Sequence, residues 1–295
     1  MDKIKRLSGS QTSASTERGI ALLMVLWVLA LLTVMATSFS YASRTETAAV
    51  RNRLDAAKAR YLAEAGVQRA LYALAEPDPE RRWPIDGTEQ EWSIDDAVVR
   101  IAIRDEAGLI NINRVEHDLL DGILRVIGLD TSRRQEIVDA ILDWRDSDSL
   151  RRAHGAEDVD YVIAQRSYGA KDNPFESVEE LQLLLGITTS VFSKLEPYLT
   201  VHGGQSGVNP AVASREVLLA MPGVDVHDAE AILAARSHTN ISNEPGSASD
   251  RGSGTFRISV QAELPSGARQ TLRAVIQVRS GPTTQFPVLS WKENG

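Results

Sequence analysis

Four carboxylates stand close together in the sequence near the middle of this 295-residue chain. Asp146 and Asp148 are two positions apart after a predicted helix over residues 137–144, and Glu157 and Asp158 follow about one loop later. Hard oxygen ligands gathered on a loop suit Ca²⁺, which accepts roughly six to eight of them with loose geometry. The sequence therefore predicts a structural Ca²⁺ site at these four residues.

The spacing of these carboxylates does not make an EF-hand loop. With Asp146 at position one, Asp148 and Glu157 fall at positions three and twelve. Position six, however, is Arg151, where that loop needs a glycine for its turn. A second interpretation stays open, in which the carboxylates cap helix ends and pair with the neighbouring arginines, Arg145, Arg151 and Arg152.

A second motif has the pattern of a helix-hairpin-helix, at residues 218–224 and 229–233, with a weaker copy at 180–187. In DNA-binding versions the hairpin offers backbone N–H groups to a phosphate. Here the hairpin carries Asp225 and Asp228, and carboxylates repel a phosphate. We therefore expect no nucleic acid partner and a role in packing or protein contact.

Composition excludes several other functions. The chain has no cysteine, so disulfides, thiolate metal sites and cysteine nucleophiles are absent. The five histidines show no H-E-x-x-H spacing, and neither G-x-S-x-G nor a phosphate loop occurs, so we expect no enzyme. With 32 basic against 40 acidic residues, the net charge of −8 argues against a general affinity for nucleic acid or anionic lipid, although local patches can differ from the average.

The elements that position these residues begin with a membrane segment. No charge occurs from Gly19 to Ser43, and residues 20–36 are apolar except for Thr33, close to the ~20 residues that a spanning helix needs. The leader ahead of it carries four basic and two acidic residues, which predicts a cytoplasmic amino end. Helix-forming residues continue beyond the membrane segment, so one helix is predicted to reach about Ala75.

Beyond this helix the pattern changes from helical to alternating. Apolar residues alternate at residues 99–103 and 256–260, and residues 272–278 follow as a hairpin partner. Helical periods dominate between them, from about 115 to 236, and residues 240–254 form a Ser/Asn/Gly-rich surface loop. Strands on both sides of a helical block predict a small sheet with a helical insertion.

The amino-terminal pattern resembles that of type IV pilins and the pseudopilins of type II secretion. The resemblance rests on a short basic leader, Arg18 and Gly19 before an apolar residue, and a spanning helix that becomes amphipathic. It implies that prepilin peptidase cuts between Gly19 and Ile20 and methylates the new amino terminus. Most members carry glutamate at mature position five, which is Met24 here. This departure is the pattern of the K-type minor pseudopilins.

Further motifs extend the resemblance to the K type over nearly the whole chain: DEAGLININ at 105–113, DWRDSD at 143–148, GAEDVDY at 155–161 and VNPA at 208–211. The implied fold is α+β, a pilin-like long amino-terminal helix packed on a small antiparallel sheet with a large helical insertion domain. A Ca²⁺ loop is also implied.

The resemblance further implies a single-pass protein of the bacterial inner membrane with its carboxyl-terminal domain in the periplasm. Its partners would be prepilin peptidase, the membrane, and the I- and J-type minor pseudopilins at the tip of the pseudopilus. It would initiate pseudopilus formation and support export across the outer membrane. One alternative is a minor pilin of a type IV pilus or DNA-uptake system, and another is a signal-anchored periplasmic enzyme with a mature start near Ser43.

The predicted organisation has five segments. They are a leader removed by prepilin peptidase at 1–19, the membrane-spanning and amphipathic helix at 20–76, the first part of the pilin-like domain at 77–114, the inserted helical domain at 115–239 and the closing strands at 240–295.

Overall fold

The computed structural model describes residues 16–78, 81–203, 207–239, 252–279 and 284–294. It divides into two compact units, Met1–Ala57 and Lys58–Gly295. The predicted long amino-terminal helix is confirmed as α1, which covers Thr16–Leu74 and ends three residues before Pro77.

In the first unit, α1 presents apolar side chains to its surroundings. Among the described residues, α1 is the one helix long and apolar enough to cross a membrane, and its most apolar stretch within Ala21–Leu74 has a mean hydropathy of 2.4. Leu26 and Trp27 are exposed by about two thirds, at 67% and 69%. An apolar surface of this length is suited to a lipid environment.

The second unit is built on a five-stranded antiparallel sheet of order β1-β2-β5-β6-β7. Its strands are β1 (Asp86–Ile94), β2 (Ala97–Asp105), β5 (Thr255–Glu263), β6 (Arg269–Gln277) and β7 (Val288–Asn294). A separate parallel pair joins β3 (Ile110–Asn111) to β4 (Leu199–Thr200).

The last turns of α1 pack on this sheet through small residues. Ala63, Val67 and Ala70 are buried with alternate residues of β2 and β5. A Cβ at Gly66 would lie 2.5 Å from Cγ1 of Val260, so this glycine permits the close approach of helix and sheet.

Between β2 and β5 the chain forms a block of helices with its own hydrophobic core. These are α2 (His117–Val126), α3 (Thr131–Arg145), α4 (Asp158–Ile163), α5 (Thr189–Leu195), α6 (Arg215–Ala220) and α7 (Val226–Thr239). Asp130 and Ser214 cap α3 and α6 by accepting bonds from backbone N–H groups, which explains where these helices begin. The α+β class with a helical insertion is confirmed.

Several details differ from the sequence-based expectation. Strands β1 and β7 were not predicted, because these two edge strands carry no clean apolar alternation in their sequences, DGTEQEWSI and VLSWKEN. Most of the predicted loop at 240–254 lies outside the described residues. The proposed segment boundaries stay predictions.

Candidate functional site

Two helices and a loop position the predicted carboxylates. Asp146 is the C-cap of α3, and Glu157 is the N-cap of α4. The N–H of Glu157 donates to Oδ2 of Asp160 at 3.0 Å, which fixes the start of α4. The connecting residues thus bring the end of one helix to the beginning of the next.

One arginine neutralises part of this cluster. Nη1 of Arg152 lies 2.6 Å from Oδ1 of Asp143 and 2.5 Å from Oδ2 of Asp146. Asp143 is completely buried, and a Cβ at Gly155 would lie 1.9 Å from its Oδ2, so only glycine fits there. Burial raises the pKa of Asp143, although hydrogen bonds from Arg152 oppose that shift.

Three buried carboxylate oxygens in the cluster have no hydrogen-bond partner in the described part of the chain. They are Oδ1 of Asp146, Oε1 of Glu157 and Oδ1 of Asp172. Burial raises the pKa of Glu157 to about 7, and the nearby charges of Asp143, Asp172 and Asp146 add to that shift. Burial, followed by Asp158 and Asp146, also raises the pKa of Asp172. Buried carboxylates without a compensating charge are costly.

The other two predicted ligands help to shape the surrounding loops. Oδ1 of Asp148 accepts from the N–H of Leu150 at 2.9 Å, and Oδ1 of Asp158 accepts from the N–H of Ala170 at 3.0 Å. A Cβ at Gly169 would lie 1.8 Å from the same Asp158 oxygen. Asp158 therefore ties α4 to the loop that carries Asp172.

The arginine pairing considered from the sequence occurs only in part. Arg152 pairs with Asp146, whereas Nε of Arg151 lies 3.2 Å from Oδ2 of Asp160. Arg145 instead donates to the backbone carbonyls of Ile112 and Val115. These arginines leave the three unpartnered oxygens without a cation.

The chemistry of these three oxygens suits a hard cation, because all three belong to carboxylates. Within the described ranges, no three Asp, Glu, His or Cys side chains are already arranged to hold a metal ion. The loops around Asp146, Glu157 and Asp172 would therefore have to close around one.

Asp172 was missed in the sequence analysis. It lies in the left-handed region at φ 52°, within a Lys-Asp-Asn-Pro turn far along the chain from Asp146. The turn composition was its only sequence signal.

A second charged site joins the helical block to the sheet. Nε of Arg257 on β5 lies 2.8 Å from Oε1 of the buried Glu106, and Nη2 donates to the carbonyl of Leu199 at 2.9 Å. The hydroxyl of Thr200 on β4 donates to the other Glu106 oxygen. Every group of this site has a partner.

At the predicted helix-hairpin-helix, α6 and α7 flank a turn with Gly223 at φ 78°. The N–H of Asp225 donates to Oδ2 of Asp228 at 3.2 Å, and the N–H of Asp228 donates to Oδ1 of Asp225 at 2.8 Å. The carboxylates thus occupy N–H groups that a phosphate would need.

A long apolar amino-terminal helix, an antiparallel sheet against its last turns and a helical block between the strands define a pilin-like protein with an apolar anchor. The family model for protein K of the type II secretion system matches residues 101–204. The chain is 27% identical over 254 residues to type II secretion system protein K of Klebsiella pneumoniae, covering 77% of each chain. It is 28% identical over 245 residues to the Pseudomonas aeruginosa protein, covering 75% of this chain and 72% of that one.

A chain of the GspK-GspI-GspJ complex from enterotoxigenic Escherichia coli has the same fold, with a TM-score of 0.55, 14% identity, and coverage of 86% of this chain and 99% of that one. The family model and these relatives support a minor pseudopilin of the type II secretion system that is similar to protein K. The alternative of a DNA-uptake pilin is not favoured.

Proposed function

We propose that this minor pseudopilin is anchored in the bacterial inner membrane by α1, with its second unit in the periplasm. There it assembles with I- and J-type minor pseudopilins at the tip of the pseudopilus, initiates growth and supports export across the outer membrane. Its role is structural rather than enzymatic. The similar solved structure supports this proposal, because it is a complex of GspK with GspI and GspJ.

The helical block between β2 and β5 is the observation that supports the proposed position at the tip. A block of six helices is too bulky to repeat along a tightly packed helical filament. In addition, Met24 lacks the carboxylate that would neutralise the terminal amine of a subunit stacked above it. A tip subunit tolerates both features, since it has no subunit above it.

Assembly is tested by co-purification. The tagged full chain is co-expressed with the I- and J-type pseudopilins of the same bacterium and purified in a mild detergent. We expect all three proteins to elute together. Recovery of the tagged chain alone, with its partners expressed at normal levels, would contradict the proposal.

Processing is tested by amino-terminal sequencing of the membrane-bound protein. We expect a mature start at Ile20 only when prepilin peptidase is present. Gly19→Val should block the cut, whereas Gly9→Val in the same leader should not. A start near Ser43 would instead indicate an ordinary signal peptide.

We further propose that the acidic cluster holds a structural Ca²⁺. Asp146, Glu157 and Asp172 would supply the unpartnered oxygens, with Asp148 and Asp158 beside them. A divalent cation would remove the repulsion among these carboxylates and fix the loops at the ends of α3 and α4. Support comes from the burial of three carboxylate oxygens without partners.

A further inference from the structure

Two arginines share one face of α1 just beyond its apolar segment. Arg44 and Arg51 are seven residues apart, which is close to two helical turns. A shallow groove of about 400 Å³ runs along this face. It is lined by Ser43, Arg44, Thr47, Ala48, Arg51 and Asn52.

The charges on this face are not matched by carboxylates. Among the ion pairs of the described residues, none involves Arg44 or Arg51, although Asp55 follows Arg51 by four positions. Farther along the same helix, Arg60 does pair, with Glu64 at 3.1 Å. The groove therefore presents two free guanidinium groups, which suit an anion and repel an amine.

The position of the two arginines along α1 indicates which anion lies near them. Crossing the hydrocarbon takes about 20 residues, so an apolar segment that begins at Ile20 ends near Phe39. The exposed Tyr41 follows at the level where aromatic side chains favour the membrane interface. Arg44 then lies about 7 Å beyond the hydrocarbon, within the depth of the headgroup layer.

The lean of helical side chains brings the second arginine toward the same layer. Side chains on an α-helix tilt toward its amino terminus, which is the membrane end of α1. Arg51 lies about 10 Å farther along the helix than Arg44, and this lean directs its side chain back toward the headgroups. Two guanidinium groups at different positions along one helix face can both donate hydrogen bonds to a single phosphate.

We propose that Arg44 and Arg51 bind the phosphate of an anionic phospholipid, such as phosphatidylglycerol, in the periplasmic leaflet. This inference rests on the proposed anchoring of α1 in the membrane. Zwitterionic lipids bind less well, because their amine or choline group meets the same two positive charges. The bound lipid would fix the depth of the helix at the point where it leaves the membrane.

Native mass spectrometry of the full chain in detergent tests the site. The protein is mixed with equal amounts of dioleoyl phosphatidylglycerol and dioleoyl phosphatidylcholine, and retained lipids are counted. We expect phosphatidylglycerol to be preferred by about 25-fold, since each arginine contributes about fivefold. The double variant Arg44→Gln with Arg51→Gln should retain the two lipids almost equally.

Arg53→Gln is the matched control, since it removes the same charge nine residues from Arg44, half a turn around the helix. It should keep the preference. Equal retention of both lipids by the unaltered protein, or an equal loss in Arg53→Gln, would overturn the proposal. Displacement of the lipid by excess inorganic phosphate would also overturn it, because the ligand would then be phosphate without a lipid.

Flotation with vesicles of phosphatidylcholine alone separates this inference from the proposed anchoring. We expect the full chain and the double variant to float equally, because insertion depends on the apolar segment. If neither protein floats, the proposed anchoring is contradicted. The lipids retained in detergent would still show whether Arg44 and Arg51 bind the phosphate.

Discussion

Two buried glutamates of this protein have opposite surroundings. Glu106 is 1% exposed, and Glu157 is 6% exposed. Glu106 is paired with Arg257 and accepts from Thr200, so the chain itself satisfies it. One oxygen of Glu157 has no partner, and its neighbours are other carboxylates.

The contrast shows where each site obtains the positive charge that neutralises its buried carboxylates. The Glu106 site is complete, so its strength depends on the chain alone. The Glu157 cluster has more negative charge than Arg152 can neutralise, and we propose that a cation from solution supplies the difference. The two sites should therefore respond differently to chelators and to charge-removing substitutions.

The largest effect is expected at the Glu106 site, where the chain itself supplies every partner. Arg257→Met leaves Glu106 buried without its cation, which should lower the free energy of unfolding by about 3–5 kcal/mol. Urea unfolding of the full chain, followed by tryptophan fluorescence, measures the loss. It should be the same with Ca²⁺ and with a chelator.

The control for this variant is Arg273→Met on β6 of the same sheet, which breaks a partly exposed pair with Glu196. It should cost about 1 kcal/mol or less. Equal losses in the two variants would show that burial of Glu106 does not set the strength of its pair.

A smaller effect, which depends on the cation, is expected at the Glu157 cluster, called the open site because three of its carboxylate oxygens have no partner. Ca²⁺ at about 100 times its dissociation constant should stabilise the unaltered protein by about 2.7 kcal/mol. Asp172→Asn should abolish most of this gain. With a chelator present, the same variant should be as stable as the unaltered protein or more so, because it removes one of several mutually repelling charges.

Asp118→Asn on the exposed start of α2 is the matched control and should keep the full gain. If Asp172→Asn were destabilising in chelator and unchanged in its response to Ca²⁺, the open site would not be a cation site.

A third variant compares the ligand named from the sequence with the one found in the structure. Asp148→Asn keeps an acceptor for the N–H of Leu150, so it removes only charge near Asp172. We expect it to weaken the Ca²⁺ stabilisation by about 1 kcal/mol or less. A loss as large as that of Asp172→Asn, measured by the same urea unfolding, would reverse their roles.

The sequence predicted the fold class, α1, the central strands and the helical block, from the long run of apolar and helix-forming residues in α1, the apolar alternation of β2, β5 and β6, and the helical spacing of apolar residues between them. Strands β1 and β7 lacked that alternation at the sheet edges. Asp146 and Glu157 were found because a helix end and a helix start bracket one short loop. Asp172 was not, since only the three-dimensional contact of Asp158 with Ala170 brings its loop to the cluster.

The smallest effect is expected at the amino end. Met24→Glu restores the charge common in filament subunits, yet the helical block still prevents stacking above this subunit. Co-purification with the I- and J-type pseudopilins should be almost unchanged. Repeated incorporation of the variant along the pseudopilus, seen by immunogold labelling, would show that position 24 and not the helical block restricts this protein to the tip.

Isothermal titration calorimetry with Ca²⁺ tests the central comparison most directly. The full chain is stripped with a chelator, transferred to metal-free buffer and titrated beside the double variant Glu157→Gln with Asp172→Asn. The account predicts saturable binding to the unaltered protein and none to the double variant. No saturable binding to the unaltered protein, or equal binding to both, would contradict the assignment of the open carboxylate cluster to calcium.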